Sequence, residues 1–425
     1  MEIRGLKKMI DLKADVSIIG AGPAGLAAAL SAKENGAKNI IVIDRNSWIG
    51  GILPQCIHDG FGIEETGSSM TGPEYAHMYI KNAKNQNITF MKETMVLDII
   101  NKKIIAVNTK GLLKIKSKSI VFAMGCREKT RWNILVPGDR PSGIYTAGVA
   151  QAFINLYNIM PGKNVIIVGS GDVGLIIARR LKFEGANVLG VVEILPYASG
   201  LPRNVVQCLD DYDIPLFLNH TIIEIKGKQR LESVTIAQVD KKGDIIIGSE
   251  RKILCDTLLL SLGLIPENEL ANSLGIRLDS FTGGPVVNQK FETNYPGIFS
   301  CGNSLQVYDT VDVLTIDAKK AGKNASLYAM GENNKDSGEI SVKPGAGVRY
   351  VIPQKITEPG KIHFTLRVIK PSGKINLKIV TKKSVLYKKK LLWTNPANMV
   401  EFDFEISDFL IKNKKDIEVF LDEKK

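Results

Sequence analysis

Cysteine is scarce and badly spaced for pairing. The chain has five in 425 residues, Cys56, Cys126, Cys208, Cys255 and Cys301. An odd, scattered set excludes the disulfide framework of a small secreted fold, and we expect reduced thiols in a cytoplasmic protein. No two stand in C-x-x-C or C-x4-C spacing, so no adjacent dithiol can close after accepting two electrons. No metal site is expected. No secretory leader or membrane span is read either. The apolar run Val16 to Ala32 is interrupted by Gly20, Gly22, Pro23 and Gly25 and follows Asp11, Lys13 and Asp15, which suits a nucleotide-binding turn better than an h-region or a transmembrane segment. Long polar tracts are also missing. With 44% hydrophobic and 24% charged residues the composition is that of a globular protein, and the length calls for two or three domains.

The charge is basic, 56 Lys and Arg against 44 Asp and Glu, or +12. From Asp336 onward 18 basic residues meet 11 acidic ones, so +7 lies in the tail, much of it at Lys382, Lys383 and Lys388 to Lys390. Those lysines lack the aromatic interleaving of a nucleic-acid surface, and no nucleic-acid partner is expected. They read as a solvated face or a partner-docking face.

What the sequence does contain is an internal repeat. Ser17-Ile-Ile-Gly20-Ala-Gly22-Pro23-Ala24-Gly25-Leu26 aligns without a gap on Ile166-Ile-Val-Gly169-Ser-Gly171-Asp172-Val173-Gly174-Leu175. Each copy runs on to an apolar strand, Ile40 to Ile43 or Leu189 to Val192, and to an acid 24 positions after the first glycine, Asp44 or Glu193. In such a β-turn-α-β unit the first glycine permits a tight turn and the second a close approach of pyrophosphate. The third lets helix pack on strand, and the strand-end acid is placed for ribose hydroxyls. The phosphates sit at a helix N-terminus. Helices are predicted over Ala24 to Asn35 and Val173 to Glu184, with further strands at Ser119 to Ala123 and Thr257 to Leu260. The fold class is therefore α/β, with two Rossmann-like parallel sheets. From about Val342 the period changes to two, as in His363 to Val368, Ile375 to Val380 and Val400 to Ile406, separated by Pro-Gly and Pro-Ser-Gly turns. That predicts a small C-terminal all-β domain after a linker at Gly331 to Gly338.

With both units in place the chain resembles the pyridine-nucleotide-dependent flavoprotein superfamily that includes glutathione and thioredoxin reductases. The nearer likeness is to the branch with the FAD/NAD subunits of opine and sarcosine oxidases and of hydrogen cyanide synthase, and with flavoproteins associated with glycerol-3-phosphate dehydrogenase. The stretches that carry it are Gly50-Gly51-Ile-Leu-Pro-Gln-Cys56-Ile-His58, Thr71-Gly-Pro-Glu-Tyr-Ala76, Ala123-Met-Gly125-Cys-Arg-Glu128, Pro137-Gly-Asp-Arg-Pro141 and Thr293 to Asn303, ending Cys301-Gly302-Asn303. The resemblance implies an FAD domain of residues 1–145 and 271–335, an inserted NAD(P) domain of 146–270, and the β domain at 336–425. It implies FAD held by Gly20, Gly22, Pro23, Ala24, Gly25, Asp44, Arg45, Gly51, Gly125, Gly302 and Asn303. The nicotinamide dinucleotide falls to Gly169, Gly171, Asp172, Val173, Gly174, Glu193 and Gly263. Asn303 replaces the superfamily's usual Asp, and its amide can still bond a sugar hydroxyl. Glu193, followed by Ile194, Leu195 and Pro196 with no arginine before Arg203, favours NAD over NADP, because a carboxylate repels a 2′-phosphate.

Cys56 and His58 are the candidate catalytic residues, near the flavin in relatives, where a thiol or imidazole could tune the flavin or move a proton. The other reading is a packed thiol and a hydrogen-bonded histidine. The resemblance suggests an electron-transfer subunit working with a second flavoprotein dehydrogenase, as an oligomer or complex. A freestanding NADH oxidase or diaphorase and a cofactor-holding scaffold stay open as alternatives.

Overall fold

The computed structural model describes residues 9–332, 338–382 and 384–423. It divides into two compact units, Arg127–Ile265 and the remainder on either side. The inserted unit, Arg127–Ile265, starts earlier and ends earlier than the expected 146–270 and includes Ile144–Thr146, the edge strand of its sheet, parallel to Thr257–Leu260. Of the expected linker, residues 333–337 lie outside the described residues.

In the flanking unit the strands Ile10–Ile19, Ile40–Ile43 and Thr89–Met91 run parallel, and Ile10–Ile19 also pairs in parallel with Gly111–Phe122. The short strand Ile298–Ser300 closes on the same segment, so a stretch nearly 180 residues downstream in the chain shares the first turn's sheet. Strand Gly111–Phe122 starts well before the expected Ser119. Its first half alternates buried Leu113, Ile115 and Ser117 with lysines and pairs antiparallel with Lys103–Asn108 on the side away from Ile10–Ile19; only its second half is buried at every residue.

Helix Pro23–Glu34 is buried along its whole middle, Ala24 through Ala32. An all-round apolar helix needs neighbours on both sides. One is the sheet and the other is helix Val311–Met330, whose Gly322 lies so close that an added Cβ would meet the Ala28 carbonyl oxygen at 2.1 Å. Ala318, Ala321 and Ala325 line the same contact. Small side chains on both helices bring the backbones together, which joins the two separated parts of this unit.

The second unit repeats the plan. Its sheet has the order Leu216–Leu218, Asn187–Glu193, Asn164–Val168, Thr257–Leu260, Ile144–Thr146, parallel throughout. A separate antiparallel sheet is formed by His220–Gly227, Leu231–Gln238 and Arg251–Leu254.

The tail forms two facing sheets, as the period-two pattern predicts. One contains Ile340–Pro344, Lys355–Ile356, Ile375–Val380, Val385–Leu391 and Ile417–Glu423, the other Val348–Ile352, Gly360–Val368 and Val400–Ile406. Phe364, Leu366, Leu377 and Ile379 are fully enclosed between them. The tail is not tethered by the chain alone. Arg367 donates to the carbonyls of Val307 (3.0 Å) and Pro396 (2.8 Å) and to Asp309 (2.5 Å), and Asp309 also accepts from the Met399 amide. Gln306 donates to Thr365, and the Val287 amide donates to Gln354.

The Arg367–Asp309 pair retains only 13% and 16% side-chain exposure, so removing one partner strands a desolvated charge, at a cost of about 3 kcal/mol. Arg367→Ala is expected to speed amide exchange in Val348–Ile352 and Gly360–Val368 by roughly a hundredfold. Exchange within about threefold of wild type would mean that apolar contacts alone hold the tail.

Candidate functional site

Each glycine turn is held by the same set of contacts. Gly20 has φ +106°, and a Cβ there would lie 2.2 Å from the Ala123 carbonyl oxygen; Gly169 has φ +91° and would meet the Ser261 carbonyl oxygen at 2.0 Å. The third glycines are equally confined, Gly25 against the Gly20 carbonyl at 1.9 Å and Gly174 against Ser261 Cβ and the Gly169 carbonyl at 2.7 Å. The second glycines differ in kind. A Cβ on Gly22 would find its nearest neighbour at 3.8 Å and one on Gly171 at 3.6 Å. The turns are thus packed on their inner side and open on the side a ligand must use.

The helices that follow, Pro23–Glu34 and Asp172–Phe183, have no side-chain N-cap. Ser261 Oγ takes the Gly174 amide (3.1 Å), and the remaining first-turn amides and the positive dipole poles suit a pyrophosphate. Pro23 opens the first helix without loss, since its missing N–H belongs to the unpaired first turn. Gly51 lies across the first turn, where a Cβ would come within 2.8 Å of Gly22 Cα, and one on Gly302 would come within 2.6 Å of Ala24 Cβ. Loops from two distant parts of the chain therefore meet the helix end. Asn303, in the middle of the short turn Gly302–Ser304, accepts from the Tyr308 amide and donates toward Cys126 Sγ at 3.6 Å. Gly125 and Gly263, two residues after Ala123 and Ser261, have φ of +72° and +89° and open space at the Cβ position. Arg45 is exposed and lies 3.8 Å from Glu267.

The strand-end acids occupy equivalent positions. Asp44 accepts from the amides of Ala21 (2.7 Å) and Asn46 (2.8 Å). Glu193 accepts from those of Ser170 (3.1 Å) and Leu195 (3.0 Å), the matching residues of its own turn. Glu193 additionally receives the hydroxyls of Ser170 (2.5 Å) and Ser199 (2.9 Å) and is only 4% exposed. A carboxylate offers about four acceptor sites. Asp44, half-buried with two used, fits a ribose hydroxyl. The four donors on Glu193 come from the protein, so this acid braces its turn. Asp172 does similar work, accepting from the Leu201 amide and the Asn204 side chain to fasten the loop after Glu193. Val173 stands partly exposed beside it. The motif pattern did not single out Ser170, Ser199 or Ser261; the gapless repeat carried the signal, since Ser170 aligns with Ala21.

Cys56 and His58 lie on the loop that enters helix Gly72–Asn85. Thr71 and Glu74 form a reciprocal cap on that helix, and the Gly72 amide donates to the Cys56 carbonyl at 2.8 Å. Gly72 has to be glycine, because a Cβ would strike the Leu53 and Cys56 carbonyls. Burial pushes the Cys56 thiol up to about 12, and it donates to the Ile52 carbonyl. At neutral pH it is a packed thiol, not a thiolate. His58 stacks obliquely on Phe61, with ring centroids 5.1 Å apart. All five cysteines are free thiols, and no cluster of metal ligands occurs among the described residues.

Comparison with known proteins agrees with this geometry. Residues 14–317 match the family model for pyridine nucleotide-disulphide oxidoreductases. The ferredoxin–NADP reductase of Picrophilus torridus is 26% identical over 306 residues, 69% of this chain and 86% of the relative. An opine oxidase subunit of Agrobacterium tumefaciens is 26% identical over 349 residues, 75% of this chain but only 65% of the relative. Among solved structures, thioredoxin reductase of T. acidophilum superposes with a TM-score of 0.60 over 76% of this chain and 99% of that one, at 22% identity. The open glycine turns, the uncapped helices and a match across well over half of the sequence lead to one assignment: the chain belongs to the pyridine nucleotide-disulphide oxidoreductase family, flavoproteins that bind FAD and a nicotinamide dinucleotide.

Proposed function

We propose that the chain is an NAD(H)-linked electron-transfer subunit of a multicomponent dehydrogenase of the glycerol-3-phosphate or amino-acid and opine type. The observation that carries this reading is the doubled, ligand-ready glycine turn in a chain with no dithiol in relay spacing. Two dinucleotides can be held, yet electrons have no disulfide to leave by. The likeness to a protein named as part of an oxidase supports a partner that completes the circuit.

When bound, FAD and the nicotinamide supply the hydride chemistry. The chain's part is to hold and orient them. Gly20, Gly22, Pro23, Ala24 and Gly25 receive the FAD pyrophosphate, Asp44 takes the adenosine ribose, and Gly51, Gly125, Gly302 and Asn303 border the remainder. Gly169, Gly171, Val173 and Gly174 receive the second pyrophosphate, with Gly263 beside it. Hydride exchange needs no protein base, so Cys56 and His58 act here as packing residues of the flavin-side loop.

Glu193 enters through its charge. With four protein donors on it, three of them on one oxygen, it still places a negative charge at the strand end, and no cation follows it before Arg203. A 2′-phosphate is therefore disfavoured by repulsion.

Anaerobic titration of the flavin absorbance is expected to show bleaching by NADH at much lower concentration than by NADPH. A yellow protein that neither bleaches would remove the hydride-transfer reading, and steady NADH consumption in air by the pure chain would favour a freestanding oxidase. Glu193→Gln should narrow the NADH-over-NADPH preference by on the order of tenfold; an unchanged ratio would place selectivity elsewhere. Cys56→Ser should leave the rate of flavin reduction within about twofold, since a thiol this desolvated carries no charge to lose. A loss of ten times or more would return Cys56 to the chemistry.

A further inference from the structure

The +12 charge is concentrated in one place. Residues 359–400 hold ten of the chain's 56 basic residues and none of its 44 acids, which leaves +2 for all the rest. Part of this charge is answered within the sandwich, Lys361 by Asp403 and Lys378 by Asp422. Arg367 is answered by Asp309, Lys389 reaches the Glu401 carbonyl and Lys382 lies at the turn between the two strands, while Lys370, Lys374 and Lys390 lie toward the opposite end. There Ile375 pairs with Leu391, and the same register continues to Ser372 and Thr394, whose backbones exchange two hydrogen bonds of 2.9 and 2.8 Å. Lys374 therefore stands across from Leu392, and Gly373 from Trp393.

Leu392 is 75% exposed, Ile369 56% and Trp393 55%. Lys370 next to Ile369, Lys374 across from Leu392, and Lys390 and Lys388 two and four residues before it are exposed too. Among the described residues, Val385–Leu391 is an edge strand, paired only with Ile375–Val380. Lysines on an edge strand guard against pairing with another chain. That role accounts for Lys388 and Lys390 but not for three large exposed apolar side chains at this end of the sandwich.

We infer that this end of the sandwich docks on an anionic lipid surface, with Ile369, Leu392 and Trp393 entering the headgroup layer and the lysines ringed around them on phosphate. Basic residues beside protruding tryptophan and leucine are the chemistry of interfacial binding. The use of lysine rather than arginine argues in the same direction, since lysine is depleted from protein–protein interfaces and arginine enriched. No helix among the described residues is long and apolar enough to cross a membrane, so the contact is a docking onto the surface. The inference is independent of the proposed redox role.

The test is sedimentation of the full flavin-loaded chain with vesicles of phosphatidylcholine alone and of phosphatidylcholine mixed with phosphatidylglycerol. Binding is expected only to the phosphatidylglycerol vesicles, with release at high salt. Lys388→Glu with Lys390→Glu should weaken it on the order of thirtyfold or more. The vesicle-induced blue shift of tryptophan fluorescence should disappear in Trp393→Phe, which keeps Trp48 and Trp132. Retention of the flavin spectrum certifies that both variants are folded. Equal binding to neutral vesicles, or undiminished binding of the charge-reversed variant, overturns the proposal. So does a chain that ignores both vesicles, and in that case an acidic protein partner becomes the occupant to seek.

Discussion

Both nucleotide turns depend on a backbone approach that leaves no room for a Cβ. The first glycine of each copy presses on the carbonyl that ends a neighbouring strand, Ala123 in one and Ser261 in the other, and the third presses on the turn itself. With those contacts closed, the helix must begin where its amide end faces outward past the second glycine. The binding surface is thus a consequence of close packing behind it. The flanking unit uses the same device again where Gly322 meets Ala28, and this second close approach brings the downstream helix against the first one. Gly302 can then sit against Ala24, although 278 positions separate them in the chain.

Features with a period were legible in the sequence. The repeat of Gly20 to Asp44 in Gly169 to Glu193 announced two Rossmann-like sheets, and alternation in His363 to Val368 and Val400 to Ile406 announced facing β-sheets, because side-chain direction follows directly from those patterns. Features made by one residue meeting a distant one were not legible. Arg367 and Asp309 carry no pattern that marks them as partners, yet they fasten the tail. A strand expected from Ser119 misses the lysine-rich first half of Gly111–Phe122, which pairs with Ile10–Ala14 on one side and the antiparallel strand Lys103–Asn108 on the other.

The candidate site divides in the same way. Position was readable and occupancy was not. The register of Glu193 on Asp44 correctly places two acids at two strand ends, each accepting an amide from its own turn and another two residues beyond itself. What separates them is Ser170 in the place of Ala21, together with Ser199 on the loop that Asp172 fastens. Two hydroxyls change an open acceptor into an enclosed one.

That enclosure alters the kind of selectivity the residue can exert. An acceptor that bonds a hydroxyl recognises its ligand over a short range and a narrow angle. A charge braced by four donors acts over a longer range and less sharply, weakened by the same dipoles that stabilise it. In the proposed NAD(H) role such a residue would discriminate by rejecting an extra phosphate and gain little from the hydroxyl it tolerates. The first turn, with Asp44 half-open, retains the recognising kind. Under the proposed assignment, one repeated framework would give a grip on a resident cofactor in one copy and an exclusion rule for an exchanging one in the other, and the difference lies in side chains that the glycine pattern leaves unspecified.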